Sequence, residues 1–286
     1  AGNIVPELGD LQALQTLSLR DNHFTGFIPP ELGQLAALRH LFLNNNNLTG
    51  PIPEELCKLT ALEQLFVGDN DLEGKHTAVY VWADFDTDDE RPIPASLGVL
   101  MNLEELVLSG NRLTGCVPVE LADLTGLLRL ELDGNRLSGD IPPALCTLSS
   151  LKVLYLNNNE LSGPIPSELG MLSWLERLDL SENKLTGNIP PELGQLFNVE
   201  LLILNNNKLI GGIPCELGRL HHITLLLLEG NQLSEAPPIV GGRGLRQWQV
   251  AQRKAFLNGW SMVDRLTYLE SENAHLRKEN KLLRKV

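Results

Sequence analysis

The length, composition and charge of the chain restrict the classes of protein to which it can belong. It has 286 residues, of which 43% are hydrophobic, 21% charged and 5% aromatic, a composition typical of a folded, soluble protein. No apolar stretch approaches the ~18 residues that suggest a membrane span, so we expect none in this chain. The net charge of −13 disfavours nucleic acid as a partner, because phosphate binding requires a basic surface.

The charge is distributed unevenly along the chain. Residues 241–286 contain 10 Lys and Arg against 4 Asp and Glu, which gives +6 there and −19 on the first 240 residues. The acidic part therefore favours a basic ligand, or the basic C-terminal part of the same chain. The chain begins at Ala1 without a charged and apolar leader, so we expect no secretory signal within this sequence.

A repeat with a period of 24 residues organises most of the chain. Each unit carries Leu or a similar residue at positions 1, 4, 7, 9 and 14, and Asn at position 12. The alternation around positions 7 and 9 predicts a short strand with two inward Leu side chains. Stacked strands would form a parallel sheet. The nine units begin at Leu11, Leu35, Leu59, Leu100, Leu124, Leu148, Leu172, Leu196 and Leu220.

The rest of the unit predicts how the chain returns to the next strand. The Asn at position 12 has donors and an acceptor that can satisfy buried backbone groups of adjoining coils. Gly follows at position 16 in eight units, and Ile or Val with Pro occupies positions 18 and 19, as in Ile28-Pro29. Because Pro cannot continue a sheet ladder, the return path should be irregular or weakly helical.

The complete unit, L-x-x-L-x-x-L-x-L-x-x-N-x-L-T/S-G-x-I-P-x-x-L-G, closely resembles the plant-specific class of leucine-rich repeats over about 230 of the 286 residues. The resemblance implies an α/β-type solenoid, a right-handed superhelix with a parallel concave β-sheet and an irregular or 3-10 convex side. Receptor-kinase ectodomains and polygalacturonase-inhibiting proteins have this fold, and both are binding surfaces. The chain departs from the family because paired-Cys caps and a kinase are missing from this sequence.

The repeat divides the chain into four segments. Residues 1–10 match the end of a further unit, so we expect a truncated N-terminal end. Residues 11–238 hold nine repeats, interrupted by a 17-residue insertion at 75–91. Residues 239–260 are predicted to be a linker and a helix that caps the solenoid, and 261–286 an amphipathic, zipper-like helix.

The outward positions 6 and 8 of each strand should form a lattice of exposed side chains on the concave face. Phe42, Phe66 and Val107 form an apolar patch there, which suits the anchor of a binding hot spot. The alternative is that neighbouring side chains only shield one another. The predicted partner-binding residues are His40, Phe42, Phe66, Val107, Arg129, Glu131, Tyr155, Arg177 and Asp179.

Two other apolar regions are candidate contact sites. The last two coils carry Leu201, Ile203, Leu225 and Leu227 at outward positions, either as a second binding patch or as a surface that the C-terminal segment covers. The insertion is either a partner contact or a solvated hairpin; its aromatic residues are Tyr80, Trp82 and Phe85. Its acidic second half lacks the Gly and Glu of a calcium loop, so a calcium site is disfavoured.

A heptad pattern begins at Met262 and resembles a leucine zipper. The predicted oligomerisation residues are Leu266, Leu269, Asn273, Leu276, Asn280 and Leu283. Asn at the a positions favours a parallel two-stranded coil, and therefore a homodimer or pairing with another zipper. The alternative is a single amphipathic helix packed on the acidic solenoid. A DNA-binding basic zipper is disfavoured because Asn258-Gly259 interrupts the helix that would enter the groove.

No catalytic motif stands out, and we expect no enzyme activity, no cofactor and no metal site. Cys57 and Cys146 should lie about 14 Å apart, beyond disulfide reach, so we expect Cys57, Cys116, Cys146 and Cys215 to be free thiols. Free thiols favour a reducing, intracellular location, whereas the resemblance points to the cell exterior. Two functions remain open: a module that binds a protein or peptide through its concave face, and an intracellular scaffold that assembles through its zipper.

Overall fold

A computed structural model describes residues 2–73 and 93–234, and within them each repeat forms one coil of a solenoid. Every coil contributes one three-residue strand to a nine-stranded parallel sheet, the main sheet. This confirms the parallel arrangement predicted from the Leu spacing. The strands are β2 (Thr16–Ser18), β4 (His40–Phe42), β6 (Gln64–Phe66), β8 (Glu105–Val107), β9 (Arg129–Glu131), β10 (Val153–Tyr155), β11 (Arg177–Asp179), β12 (Leu201–Ile203) and β14 (Leu225–Leu227).

The register of the main sheet aligns equivalent positions of successive repeats. Leu41 pairs with Leu65, and Phe42 pairs with Phe66, between β4 and β6. The same alignment crosses the insertion, since Leu65 pairs with Leu106. Each outward side chain therefore lies beside its counterparts on the two neighbouring coils, about 4.8 Å away.

A second set of very short strands follows the turn of each coil. These are β1 (Gly2–Asn3), β3 (Phe24–Gly26), β5 (Asn47–Gly50) and β7 (Asp71–Leu72), which pair in parallel, and the pair β13 (Ile210–Gly211) and β15 (Gln232–Leu233). Sequence reasoning did not predict this second sheet, because its strands have two to four residues and coincide with the Thr/Ser-Gly turn signal.

The return path contains one turn of 3-10 helix in each coil. A Pro precedes most of these helices; Pro29, for example, has φ −63° and ψ 129° just before the helix Pro30–Gln34, and the ring fixes that φ. This agrees with the predicted weakly helical convex side. The helices are Pro6–Asp10, Pro30–Gln34, Glu54–Lys58, Ala95–Val99, Val119–Asp123, Pro143–Thr147, Ser167–Met171, Pro191–Gln195 and Cys215–Arg219. The 3-10 helices of adjoining coils approach closely, and a Cβ added at Gly33 would collide with the backbone oxygen of Glu55.

The core is a stack of Leu side chains held together by a ladder of Asn side chains. The inward residues Leu41 and Leu65 are fully buried. Asn159 is representative of the ladder: its Nδ2 donates to the carbonyl oxygens of Leu132 at 3.0 Å and Leu156 at 3.2 Å. Its Oδ1 accepts the backbone N–H of Leu137 at 2.9 Å. The predicted role of this Asn in satisfying backbone groups of adjoining coils is confirmed.

Across residues 2–73 and 93–234, helices are too short to cross a lipid bilayer.

Candidate functional site

The outward side of the main sheet, formed by positions 6, 8 and 10 of each coil, is the candidate site, and we call it the sheet face. It is the surface that sequence analysis predicted as concave. Strand alternation places its side chains opposite the buried Leu residues. In β4, for example, Leu41 is fully buried whereas His40 and Phe42 are partly exposed.

An aromatic cluster lies on the first coils of the sheet face. The ring centroids of Phe42 and Phe66 are 5.1 Å apart at an interplanar angle of 73°, an edge-to-face pair. The His40 ring stacks on Phe42 with a centroid distance of 6.2 Å. His40 Nδ1 lies 3.0 Å from Thr16 Oγ1, and its Nε2 lies 3.5 Å from Glu63 Oε2. The cluster is therefore held in place while both Phe rings keep solvent contact.

The position-8 residues of the next four coils are buried, although sequence analysis predicted that they would be exposed. Val107, Glu131, Tyr155 and Asp179 are 8%, 7%, 7% and 1% exposed. Side chains at this position in a parallel stack have close neighbours on both sides, and long side chains cover one another. The expectation that Val107 extends the exposed Phe patch is therefore wrong.

Paired charges occupy the centre of the sheet face. Arg129 Nε donates to Glu131 Oε1 at 2.8 Å, and an Arg129 amine lies 3.7 Å from Glu105 Oε2. Burial raises the pKa of Glu131, and Arg129 opposes that rise. Asp179 accepts hydrogen bonds from the backbone N–H and the hydroxyl of Ser181, at 2.9 and 2.6 Å. Arg177, the remaining predicted residue of this centre, is half-buried on the adjoining strand position.

Sequence reasoning missed the acidic residues that follow the strands. Asp133 lies two residues after Glu131, and its buried Oδ1 has no hydrogen-bond partner among the described residues. Burial and the nearby charge of Glu131 raise the pKa of Asp133 to about 7. Burial also raises the pKa of Asp69, two coils away. The signal that could have revealed Asp133 is its position, because position 10 continues the outward alternation of positions 6 and 8; Asp69 is at position 11 of its coil.

The outward apolar residues of the last two coils pack against one another. Leu201, Ile203 and Leu225 form a small cluster, 7–8% exposed, with the partly buried Leu227 packed against it. This cluster is separate from the main core. It lies on the sheet face, at the opposite end from the aromatic cluster.

Two sets of predicted residues lie outside the described residues. They are the aromatic residues of the insertion, Tyr80, Trp82 and Phe85, and the predicted zipper residues Leu266, Leu269, Asn273, Leu276, Asn280 and Leu283. Among the predicted features that are described, the four cysteines are free thiols, as expected. In the described part of the chain, no group of three His, Cys, Asp or Glu side chains converges as metal ligands would.

An exposed apolar group away from the sheet face was also missed. Met171, Trp174 and Phe197 are 65%, 60% and 55% exposed. They lie at the end of the 3-10 helix and just after it, where most other coils carry polar residues. That contrast between coils is the signal that sequence reasoning could have used.

Comparison with known families agrees with the repeat. Residues 9–72 match a family described as leucine rich repeat, and five further segments match a second family of the same description. These segments are 102–124, 126–148, 150–172, 174–196 and 198–220. No curated protein sequence matches the chain significantly.

Solved structures of plant proteins resemble the chain. The plant peptide hormone receptor RGFR1, in complex with RGF2, is 38% identical with a TM-score of 0.74, over 81% of this chain and 34% of the receptor. The ectodomain of GASSHO1/SCHENGEN3 from Arabidopsis thaliana, in complex with CASPARIAN STRIP INTEGRITY FACTOR 2, is 40% identical with a TM-score of 0.76, over 82% and 26%. A plant ice-binding protein is 29% identical with a TM-score of 0.67, over 83% and 71%. The chain thus spans about a third or less of the two receptors.

Proposed function

The chain belongs to the leucine-rich-repeat family, and from this premise we propose that it is a non-catalytic recognition module that binds an extended peptide or protein segment on its sheet face. The observation that carries the proposal is the aromatic cluster. Phe42 and Phe66 remain partly exposed in an edge-to-face pair, although a parallel stack shields most outward residues of the following coils.

The geometry of the cluster suits an anchor for a ligand side chain. Aromatic side chains have few rotatable bonds, so a contact with them costs little conformational entropy. Here the stacking of His40 and the hydrogen bond of His40 to Thr16 restrict the cluster further. A preorganised apolar contact surrounded by polar residues is the usual form of a binding hot spot.

The resembling receptors support a peptide as the ligand. RGFR1 was solved with RGF2, and GASSHO1 with CASPARIAN STRIP INTEGRITY FACTOR 2. We extend peptide binding to this chain as part of the proposal. A sheet of short strands offers equivalent positions about every 4.8 Å, and an extended peptide that crosses the strands can place successive side chains on successive coils.

The resemblance to a plant ice-binding protein suggests ice binding as an alternative function of the same fold. Ice is a periodic lattice, so a surface that matches it must itself repeat. The outward residues of the sheet face do not repeat: Phe42 and Phe66 are followed by Val107, Glu131 and Tyr155. This variation favours recognition of one irregular partner.

The test is a selection of peptide ligands on the full chain. A library of random linear peptides is panned on immobilised protein, and the affinity of each enriched peptide is measured for the wild type and for the Phe42→Ala/Phe66→Ala double variant. We expect losses of about 30-fold or more, since hot-spot residues contribute about 2 kcal/mol or more. The matched control is Phe197→Ala, which removes a 55% exposed ring outside the sheet face. Peptides that bind the double variant as tightly as the wild type would contradict the proposal.

A scaffold that assembles through residues 261–286 is the second candidate function. The observation in its favour is the heptad, with Asn273 and Asn280 at a positions, which favours parallel pairing in register. Light scattering of the full chain and of Leu276→Pro tests it. A wild-type mass near twice 31.6 kDa that halves in the variant would support dimerisation, and a monomeric wild type would exclude it.

A further inference from the structure

A notch interrupts the sheet face just after the strands of the fourth and fifth coils. At position 11 the backbone has a positive φ in every described coil, and six coils fill the position with Asp, Asn or Glu. The fourth, fifth and ninth coils instead have Gly110, Gly134 and Gly230, with φ +62°, +64° and +69°, and only Gly110 and Gly134 lie on adjoining coils. Because Gly110 and Gly134 have no side chains, these two coils leave space that a side chain at position 11 fills in six other coils.

The carboxylate of Asp69 borders the notch on one side. Asp69 lies at position 11 of the third coil, and a Cβ added at Gly110 would collide with its Oδ1. The Asp69 side chain therefore lies over the fourth coil, and the fifth coil follows about 4.8 Å further along the stack. A Cβ added at Gly134 would lie 3.3 Å from the backbone nitrogen of Gly110, so the two glycines form a continuous floor.

Asp133 immediately precedes Gly134 and borders the notch on the other side. Its Oδ1 is buried without a hydrogen-bond partner among the described residues. Burial comes first among the causes that raise the pKa of Asp133 to about 7, followed by the charge of Glu131 and smaller effects of Asp179 and Asp69, while a hydrogen bond from its own backbone opposes the rise. Arg129, on the strand of the same coil, is already bonded to Glu131 and lies near Glu105.

Tyr155 is an independent sign of an unfilled site. It lies between Glu131 and Asp179 in the strand register. Its side chain is 7% exposed. Its hydroxyl group has no hydrogen-bond partner among the described residues. Burial raises the pKa of Tyr155, and the interaction with the nearby Arg177 lowers it. A buried polar group without a partner is costly, so a ligand that supplies one gains affinity.

We propose that this notch, bounded by Asp69, Asp133 and Tyr155 and floored by Gly110 and Gly134, binds an arginine side chain of the ligand. This inference rests on the proposed function, since the ligand must lie on the sheet face. A guanidinium presents five N–H donors in a planar fork, which can bond two carboxylates on different sides at once. The narrow glycine floor suits a planar group.

The distance to the aromatic cluster predicts the spacing of the ligand. Phe66 lies on the third coil and Asp133 on the fifth, two coil spacings or about 10 Å apart. An extended chain covers about 3.3 Å per residue, so an arginine about three residues from an apolar side chain reaches both sites. The probe is therefore a capped peptide of sequence Phe-Ser-Ser-Arg, and its twin carries citrulline, which has the shape of arginine without the charge.

The experiment titrates the two peptides into the full chain, with affinities taken from chemical-shift changes and the Asp133 carboxyl followed by carbon-13 NMR. We expect the arginine peptide to bind at least about tenfold more tightly than its twin. It should also lower the pKa of Asp133 toward its ordinary value of 3.8, because a bound cation favours the charged carboxylate.

Three variants separate charge, space and folding. Asp133→Asn should remove most of the preference for arginine over citrulline. Gly134→Asn should do the same by filling the notch, while keeping a residue that the fold accepts at this φ, as at Asn158. Asp140→Asn changes an exposed carboxylate of the same coil and should have no effect. Unchanged thermal melting of each variant shows that it folds.

Four results would overturn the subsite: equal affinity for the two peptides, no binding of either peptide at millimolar concentration, an Asp133→Asn variant with the full preference, or a free chain in which Asp133 already titrates near 3.8. The last result would mean that the chain itself fills the notch. Equal affinities that both fall in Phe42→Ala/Phe66→Ala would leave the proposed function standing. If the Phe42→Ala/Phe66→Ala variant binds both peptides as tightly as the wild type and still prefers arginine, only the proposed aromatic anchor is contradicted.

Discussion

The inward and outward positions of the same nine strands differ in almost every respect. Position 7 is Leu in all nine strands and is buried in the first eight, as in Leu65, Leu106 and Leu154. Position 8, one residue later, is Ser, Phe, Phe, Val, Glu, Tyr, Asp, Ile and Leu in turn. In a parallel stack each inward side chain packs against its own equivalents, so one residue type can fill the whole core. The outward residues do not have to pack against identical residues, so they can vary to match the shape and charge of a partner.

The largest expected effect tests this difference on two adjacent residues of β6. Leu65→Ala removes a fully buried side chain and should lower the free energy of unfolding by about 2–5 kcal/mol. Phe66→Ala removes a larger side chain from the sheet face and should cost less, about 1 kcal/mol, because that ring already contacts solvent. Chemical denaturation of both variants measures the two values. A Phe66→Ala loss equal to that of Leu65→Ala would mean that the sheet face is part of the core.

The Asn ladder gives the next largest effect and compares a middle coil with the first coil. Asn159→Ala would leave the buried backbone N–H of Leu137 without its partner. The Leu132 carbonyl would lose the bond from Asn159 but keep the one from Asn135 Nδ2. At about 1–3 kcal/mol for the unsatisfied N–H and about 0.5–1.5 kcal/mol for each other hydrogen bond lost, we expect a loss of about 3 kcal/mol.

The matched variant is Asn22→Ala. Asn22 occupies the same repeat position, is exposed, and donates to the carbonyl oxygens of Leu19 and Arg20. Water can replace it there, so its loss should be below about 1 kcal/mol. Similar denaturation midpoints for the two variants would show that the ladder does not depend on adjoining coils.

The repeat was sufficient to predict most of the fold. Leu and Asn at fixed positions identify which residues face inward, and the position of Pro before each 3-10 helix identifies the return path. The second sheet escaped prediction because strands as short as Gly2–Asn3 have no alternation of their own. They form only because the first sheet already holds the coils in register.

The site was less predictable because it depends on contacts between coils. Alternation correctly places Phe42 and Phe66 on the sheet face, but it does not show that Val107 is shielded by its neighbours. The notch is harder still. Asp133 is unusual because Gly110 and Gly134 leave space beside it, and no single repeat contains that information.

The smallest effect to be measured tests the charge of the notch through the pH dependence of stability. Asp133 has a folded-state pKa of about 7 against an ordinary value of 3.8, so between these values the folded state holds a proton that the unfolded state has lost. Stability therefore falls as the pH rises toward and through 7, by about 2 kcal/mol between pH 5 and 8. Asp133→Asn should remove this part of the fall, because an amide does not ionise, whereas Asp140→Asn should keep it. If wild type and Asp133→Asn lose stability equally over this range, the Asp133 carboxylate is already neutralised by a cation, and the notch is not free for a ligand.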